Sequence, residues 1–197
     1  MYNRKDHYFR KAKEEGYRAR SAFKLSSLNK RYNIIKKNDY ILDIGCSPGS
    51  WSQIAQKITG KGGLILGIDI VPMKELNNVK FIQGSISEDS TIEKIKNISN
   101  EFDVIISDIA PKTTGIKELD HNRSIDLNEK ILETTNKLLK VNGNLICKVF
   151  QGEYFQEFLK KINKKFEFVK SHKPEESRKE SKEIYIIAKG FKKLNNS

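Results

Sequence analysis

At 197 residues, with 37% hydrophobic and 31% charged side chains, the chain is long enough to bury a substantial core, and one domain spanning 1–197 is expected. Apolar runs such as Ile184-Tyr-Ile-Ile-Ala188 are too short to cross a bilayer, the opening Met1-Tyr-Asn-Arg-Lys-Asp6 does not resemble a signal peptide, and no membrane partner is expected. Net charge is +12, concentrated where residues 1–24 set 8 Lys/Arg against 3 acids and residues 160–182 set 9 against 4.

Two basic segments around a near-neutral body suggest a seat for a polyanion, nucleic acid above all; the alternative is a merely solvated lysine-rich surface. Cys46 and Cys147 are too few for a disulfide framework or a zinc site, which points to a reducing interior. His7, His121 and His172 are scattered, so no metal site is expected.

In chain order, a basic extension over residues 1–35 comes first, with a helix expected at 21–32 that places Leu25, Leu28 and Tyr32 on one side. Strands are expected at Tyr40–Ile44, Leu64–Asp69, Val79–Gln83 and Phe102–Ser107, then at 145–149, 166–170 and 184–188. Gly60, Gly62 and Gly63 mark the end of the first helix that follows a strand, and Asn142-Gly143 the end of a later one. Helical spacing joins Phe155, Phe158, Leu159 and Ile162, while Ile125, Leu132 and Leu139 recur every seven residues. Alternating strands and helices predict an α/β fold, a mostly parallel sheet covered on both faces. The last two strands are joined by a basic loop containing Pro174 and are expected to pair antiparallel.

The first strand breaks into Asp43-Ile-Gly45-Cys-Ser-Pro-Gly49-Ser-Trp51, a glycine turn before a helix at the sheet edge where ligands of such folds bind. A dinucleotide fingerprint read from Gly45 would need glycines at 47 and 50, where Ser47 and Ser50 stand. Pro48 also removes an N–H that a pyrophosphate could use. An adenosine without phosphates suits the turn better, and S-adenosylmethionine is such a ligand. Asp69, closing the second strand, can accept both ribose hydroxyls. The plainer reading is that Gly45 and Gly49 only turn the chain and Asp69 only caps a helix. Trp51 reads either as core or as a cofactor wall whose indole N–H needs a partner.

Four distant stretches each end on an ionisable residue: Arg18-Ala-Arg-Ser-Ala-Phe-Lys24, Ser107-Asp108-Ile-Ala-Pro111, Cys147-Lys148-Val-Phe-Gln-Gly152 and Ser177-Arg-Lys-Glu-Ser-Lys-Glu183. If the strands are neighbours, Lys24, Asp108, Lys148 and Glu183 converge. Asp108-Ile-Ala-Pro111-Lys112 lacks the second proline and aromatic used to grip an exocyclic base amine. It also lacks the cysteine that methylation of a pyrimidine carbon requires. A hydroxyl remains as acceptor, and a poorly acidic one benefits from a base and strict alignment. Lys148 can serve as that base when it is neutral, Lys24 and Asp108 fixing the hydroxyl and Glu183 orienting the lysines. Singly, each of the four reads more readily as a solvated or strand-edge charge than as a functional group.

These residues resemble the FtsJ/RrmJ-type RNA ribose 2′-O-methyltransferases. The resemblance runs from about Tyr8 to Gly190, on Gly16-Tyr-Arg-Ala-Arg-Ser-Ala-Phe-Lys-Leu25, Leu42-Asp-Ile-Gly-Cys-Ser-Pro-Gly-Ser-Trp-Ser-Gln53, Ser107-Asp-Ile-Ala-Pro111, Lys148-Val-Phe-Gln-Gly152 and the run from Ser177 to Tyr185. It implies a Rossmann-like class I methyltransferase fold with a seven-stranded sheet whose last strand is antiparallel. It implies a tetrad of Lys24, Asp108, Lys148 and Glu183 with Lys148 as proton acceptor. S-adenosyl-L-methionine is the implied cofactor, held around Gly45, Ser47, Pro48, Gly49, Trp51, Asp69 and Asp108. After the third strand the family has Gln-Gly-Asp, whose carboxylate accepts from the adenine amine. This chain has Gln83-Gly84-Ser85, so the Ser85 hydroxyl or the backbone near Ile86 takes that place, more weakly.

Ser177-Arg-Lys-Glu-Ser and Leu119-Asp-His-Asn-Arg123 resemble the ribosomal branch, including its mitochondrial members; Tyr8 to Tyr17 resembles the transfer-RNA branch also. The expected substrate is a uridine ribose in large-subunit ribosomal RNA, bound by a monomer through phosphates along both basic segments. Alternatives are the anticodon loop of transfer RNA, a non-catalytic RNA-binding assembly factor, or a nicotinamide dehydrogenase. The compartment is expected to be intracellular, either the mitochondrion or the cytoplasm and nucleolus.

Overall fold

A computed structural model describes residues 4–177 and 181–193; Arg178, Lys179 and Glu180, part of the motif at 177–183, lie outside the described residues. Seven strands form one sheet: β1 (Tyr40–Ile44), β2 (Leu64–Asp69), β3 (Val79–Gln83), β4 (Phe102–Ser107), β5 (Leu139–Phe150), β6 (Phe166–His172) and β7 (Glu183–Phe191). Their order is β3-β2-β1-β4-β5-β7-β6. β1 pairs in parallel with β2 and β4, and β4 with β5, whereas β7 lies antiparallel between β5 and β6. The order reverses between β1 and β4, which opens a crevice at the carboxyl ends of those strands.

β1, β2 and β4 are apolar on both faces because both faces are covered. On one side, α2 (Ala22–Tyr32) and α3 (Ser50–Thr59) pack Leu25, Leu28, Trp51 and Ile54 against Ile41, Ile106 and Ile187 of the sheet. α1 (Arg4–Glu14) rests on α2, with the Tyr8 and Phe23 rings 5.7 Å apart. On the other side lie α4 (Asp89–Lys96), α5 (Lys117–Leu138) and α6 (Phe155–Lys165). α3 ends at Gly60, whose φ of +70° an L side chain rarely adopts.

Three expectations are corrected. Asn142-Gly143 does not end a helix: α5 stops at Leu138, and Asn142, at φ +64°, sits where β5 loops out between its Leu139–Phe102 and Asn144–Val104 pairs. Asp103 anchors that excursion by accepting from Lys140 Nζ (2.7 Å) and Tyr40 N (2.8 Å). Of the seven-residue trio, Ile125 and Leu132 do pack on the core from α5, but Leu139 belongs to β5; the buried line of the helix also runs through His121, Ser124, Asn128, Ile131, Thr135 and Leu138. The basic segment at 160–182 is not one surface, because α6 lies in the layer opposite α2 while Lys170 and His172 of β6 face Ile187 and Tyr185 on the α2 side.

Candidate active site

Gly45 turns the chain out of β1 at φ +74°, donating its N–H to Ile68 O (2.8 Å). A Cβ there would stand 2.6 Å from Ile109 Cβ, so only glycine fits. Gly49, at φ +107°, is equally constrained, since a Cβ would meet Leu76 Cδ1 at 2.7 Å and Met73 Sδ at 2.9 Å. Asp69 caps no helix. Its Oδ2 accepts from Ser47 N (2.9 Å) and its Oδ1 from Val71 N (2.8 Å), tying the loops after β1 and β2 together while each oxygen keeps a lone pair. Ser47 and Pro48 lie within this turn. Ser85 Oγ accepts from Ser87 N (3.2 Å), and the Ile86 side chain is turned into the core. Trp51 is 2% exposed; its indole N–H donates to Ser21 O (2.9 Å) and its ring lies 5.7 Å from Tyr185.

Lys24, Asp108, Lys148 and Glu183 meet. Lys24 Nζ lies 3.1 Å from Glu183 Oε2, and Lys148 Nζ 3.1 Å from Asp108 Oδ1. Tyr185 joins the two pairs: its hydroxyl donates to Asp108 Oδ1 (2.6 Å) and accepts from Lys24 Nζ (3.2 Å). Strand register explains the arrangement. Lys148 pairs with Tyr185 across β5 and β7, and Glu183, two residues from Tyr185, projects from the same face. Lys148 Nζ also donates to Asp108 O (2.6 Å).

Burial raises the Glu183 carboxyl, but the charges of Lys24 and Lys148 and the bond from Lys24 outweigh it and hold the group below its usual value. Burial, the Asp108 charge and the bond to Asp108 push the Tyr185 phenol well above its ordinary value, so it remains a neutral donor. Burial likewise pushes the neighbouring Cys147 thiol up to about 12, which removes it as a nucleophile.

The end of β5 extends past its β4 partner, whose last pair is Ser107 with Cys147, so the backbone beyond needs other hydrogen-bond partners. The polar stripe of α5 supplies them. Asn128 Nδ2 donates to Lys148 O (2.9 Å), Ser124 Oγ accepts from Phe150 N (3.0 Å), and His121 Nδ1 bonds Phe150 O (2.9 Å). Tyr154 N donates to His121 Nε2 (3.0 Å), so Nδ1 carries the ring proton. Beside Glu183 a cleft of about 240 Å³ opens between Thr113, Lys117, Phe150 and Lys182. Its rim at 114–115 is ordered by Asp120, whose carboxylate, lowered chiefly by the Thr114 N–H, accepts from Thr114 N (2.7 Å) and Gly115 N (3.2 Å).

The model of the FtsJ-like methyltransferases matches residues 17–191. The chain belongs to that family. It is 45% identical over 194 residues to the ribosomal RNA large subunit methyltransferase E of Archaeoglobus fulgidus, covering 98% of this chain and all of that one. The protein of the same name from Acinetobacter baumannii is 44% identical over 190 residues, covering 95% of this chain and 88% of that one. Among solved structures, a Plasmodium falciparum chain described as a ribosomal RNA methyltransferase superposes with a TM-score of 0.81 at 35% identity, covering 89% of this chain and 98% of that one. Fibrillarin from Aeropyrum pernix, crystallised with S-adenosyl-L-methionine, shares the fold at a TM-score of 0.59 and 16% identity, over 79% of this chain and 68% of that one.

The turn of this FtsJ-like methyltransferase fits a cationic methyl donor. Asp43, Asp69 and Asp108 stand in or at the ends of β1, β2 and β4, near enough that the charges of Asp108 and Asp69 add to burial in raising Asp43. Asp43 Oδ1 is buried with no hydrogen-bond partner among the described residues. The carboxylates of Asp69 and Asp108 would repel a pyrophosphate and attract a sulfonium and an ammonium group, which disfavours a nicotinamide dinucleotide. Two residues of the site escaped the sequence reading. Tyr185 looked like one more apolar strand residue, and only its position two after Glu183 signals that it shares that face. The Arg18 guanidinium donates to Pro48 O (2.9 Å), Lys74 O (2.6 Å) and Glu75 O (2.6 Å), and no spacing rule anticipates this.

Proposed function

We propose that this protein methylates the 2′-hydroxyl of a ribose in large-subunit ribosomal RNA, with S-adenosylmethionine as donor. When bound, the donor supplies an electrophilic methyl on a sulfonium. The meeting of Lys24, Asp108, Lys148 and Glu183 around Tyr185, beside the Gly45 turn, is the observation that carries the reading. The turn residues Gly45, Ser47, Pro48 and Gly49, with Asp69, would hold the donor's adenosine end, and Ser85 and the backbone near Ile86 would meet its base. Trp51 backs this wall from the core through its contact with Tyr185.

Lys148 Nζ takes or polarises the hydroxyl proton as the ribose oxygen advances on the methyl. Asp108 fixes that nitrogen twice, through Oδ1 and its backbone carbonyl, and its Oδ2 has no hydrogen-bond partner among the described residues and is open to a ligand. Lys24, clamped by Glu183 and Tyr185, places a positive charge beside the oxygen as it becomes anionic. Holding the ribose in line between these groups supplies most of the rate, by orientation. The names of the relatives favour ribosomal RNA, and no residue of the site favours transfer RNA or a non-catalytic factor. Transfer of labelled methyl to a large-subunit ribosomal RNA transcript, with the product nucleotide mapped, tests the reading. Lys148→Ala should lose at least a hundredfold in turnover while its donor affinity stays within twofold of wild type, at roughly RT ln 2. Near-normal turnover would remove the base role, and no transfer by wild type would remove the function.

A further inference from the structure

A cavity of about 500 Å³ opens on the α2 side of the sheet, at the strand ends opposite the tetrad, where the end of α2 meets β6 and β7. That is the size of an ordinary small-ligand site. Phe168, 44% exposed although it lies in a strand, forms one wall; Tyr32 forms another, the two ring centroids 6.5 Å apart. Edge strands more often carry charge at such a position, so a bare aromatic face there calls for a partner. Part of the polar lining is uncommitted: the side chains of Asn142 and Glu167 make no hydrogen bond among the described residues, and nor does that of Lys36, which lies near the Asp39 charge, whereas Asn144 Nδ2 donates to Ile34 O (2.9 Å). Lys189 Nζ is held at the rim by Tyr32 O (3.2 Å).

Contacts lead from the cavity toward the tetrad. The Tyr32 hydroxyl bonds His172 Nδ1 (3.2 Å) with the rings 5.6 Å apart, and the Arg31 guanidinium lies 5.7 Å from the Tyr32 ring centroid. One turn from Lys24, Ser27 Oγ donates to Glu176 Oε2 (3.1 Å). Phe168, Tyr32 and His172 thus form a line of rings flanked by Arg31, Lys36, Lys170 and Lys189. Along α2, Tyr32 lies about 12 Å from Lys24 at the usual helical rise, and along β7, Lys189 lies about 13 Å from Tyr185 at the usual strand rise.

We infer that this cavity takes an unpaired base of the RNA substrate, a few nucleotides from the methylated ribose. The base stacks on Phe168, and its edge bonds Asn142 and Glu167, the latter favouring an exocyclic amine. Lys36 and Lys189 take the flanking phosphates. Ring faces interleaved with cations suit single-stranded RNA, whose bases all stack and whose backbone is anionic. The inference rests on the reading of this protein as an RNA methyltransferase.

The test compares two RNAs, a long large-subunit fragment and a short one carrying only the methylated nucleotide and its immediate neighbours. Affinity is read by fluorescence anisotropy and KM by methyl transfer. Phe168→Ala should weaken the long fragment tenfold or more, as loss of one stacked base does, with a much smaller change for the short one. Phe168→Trp should restore most of the loss. Lys36→Ala should lower the salt dependence of binding by about one phosphate contact, while Lys94→Ala on α4 should not. Equal losses on both fragments, or wild-type affinity in a folded Phe168→Ala, would overturn the inference. So would a loss confined to assembled ribosomal particles, which would mark a protein contact. If wild type transfers no methyl to either RNA, the functional reading falls, and anisotropy still decides the cavity.

Discussion

Asp43 carries a stability cost that depends on pH. It lies fully buried in β1, with Oδ2 accepting from Ser52 Oγ (2.6 Å) and Oδ1 unpartnered among the described residues. Burial is the main cause of its raised pKa, the charges of Asp108 and Asp69 add to it, and the Ser52 bond only partly opposes it, leaving the group at about 7 against 3.8 for the free side chain. The folded state therefore binds this proton more tightly than the unfolded chain. Stability from this group is fully present below the unfolded pKa, falls as pH rises, and is lost once pH passes the folded value. At about 1.4 kcal/mol per unit, the whole span is worth roughly 4 kcal/mol, of which roughly 2 kcal/mol falls above pH ~5.5. Asp43→Asn removes the titration and leaves the other groups in place. Urea unfolding of both proteins at a set of pH values should show wild type losing roughly 2 kcal/mol relative to the variant between pH ~5.5 and pH ~8.5. Parallel profiles would refute a buried carboxyl that must ionise.

Two further substitutions probe residues that the sequence did not mark. Arg18→Ala removes three bonds between the amino-terminal segment, the Gly49 turn and the carbonyls of Lys74 and Glu75. Donor affinity by calorimetry should fall about tenfold, with turnover at saturating donor changed little; unchanged affinity would mean the turn holds its shape without the guanidinium. Tyr185→Phe deletes the hydroxyl between Asp108 and Lys24, and turnover should fall roughly tenfold with donor affinity intact, as loss of a hydrogen bond to a charged group implies. An unchanged turnover would show that Asp108 and Lys24 hold their places alone.

The strands that were read correctly to the residue, β1 to β4, are those buried on both faces or bounded by turn residues, where an apolar run must end with the strand. β5, β6 and β7 run beyond their apolar stretches because pairing, not hydrophobicity, decides how far they extend. Glu183, at the start of β7, and His172, at the end of β6, are polar residues held in the ladder by Phe150 and Tyr185. The final antiparallel pair was legible because its connection holds no long helix, and a parallel return would need one.

The tetrad was legible for a related reason. Charged residues are rare at the ends of buried strands, so Asp108, Lys148 and Glu183 stand out against their apolar runs. What was illegible is the support behind them. A helix face carrying His121, Ser124 and Asn128 reads as solvent-exposed under any rule based on apolar spacing, yet it is the buried face of α5. Its polarity has a physical cause: β4 stops at Ser107, which strips β5 of a neighbour beyond Cys147 and leaves the carbonyl of Lys148 and both backbone groups of Phe150 to be bonded by side chains. An apolar stripe there would orphan buried backbone groups at a cost of roughly 1–3 kcal/mol each. The same truncation of β4 opens the crevice in which Lys148 reaches Asp108, so the polar stripe of α5 and the site arise from one step in the sheet.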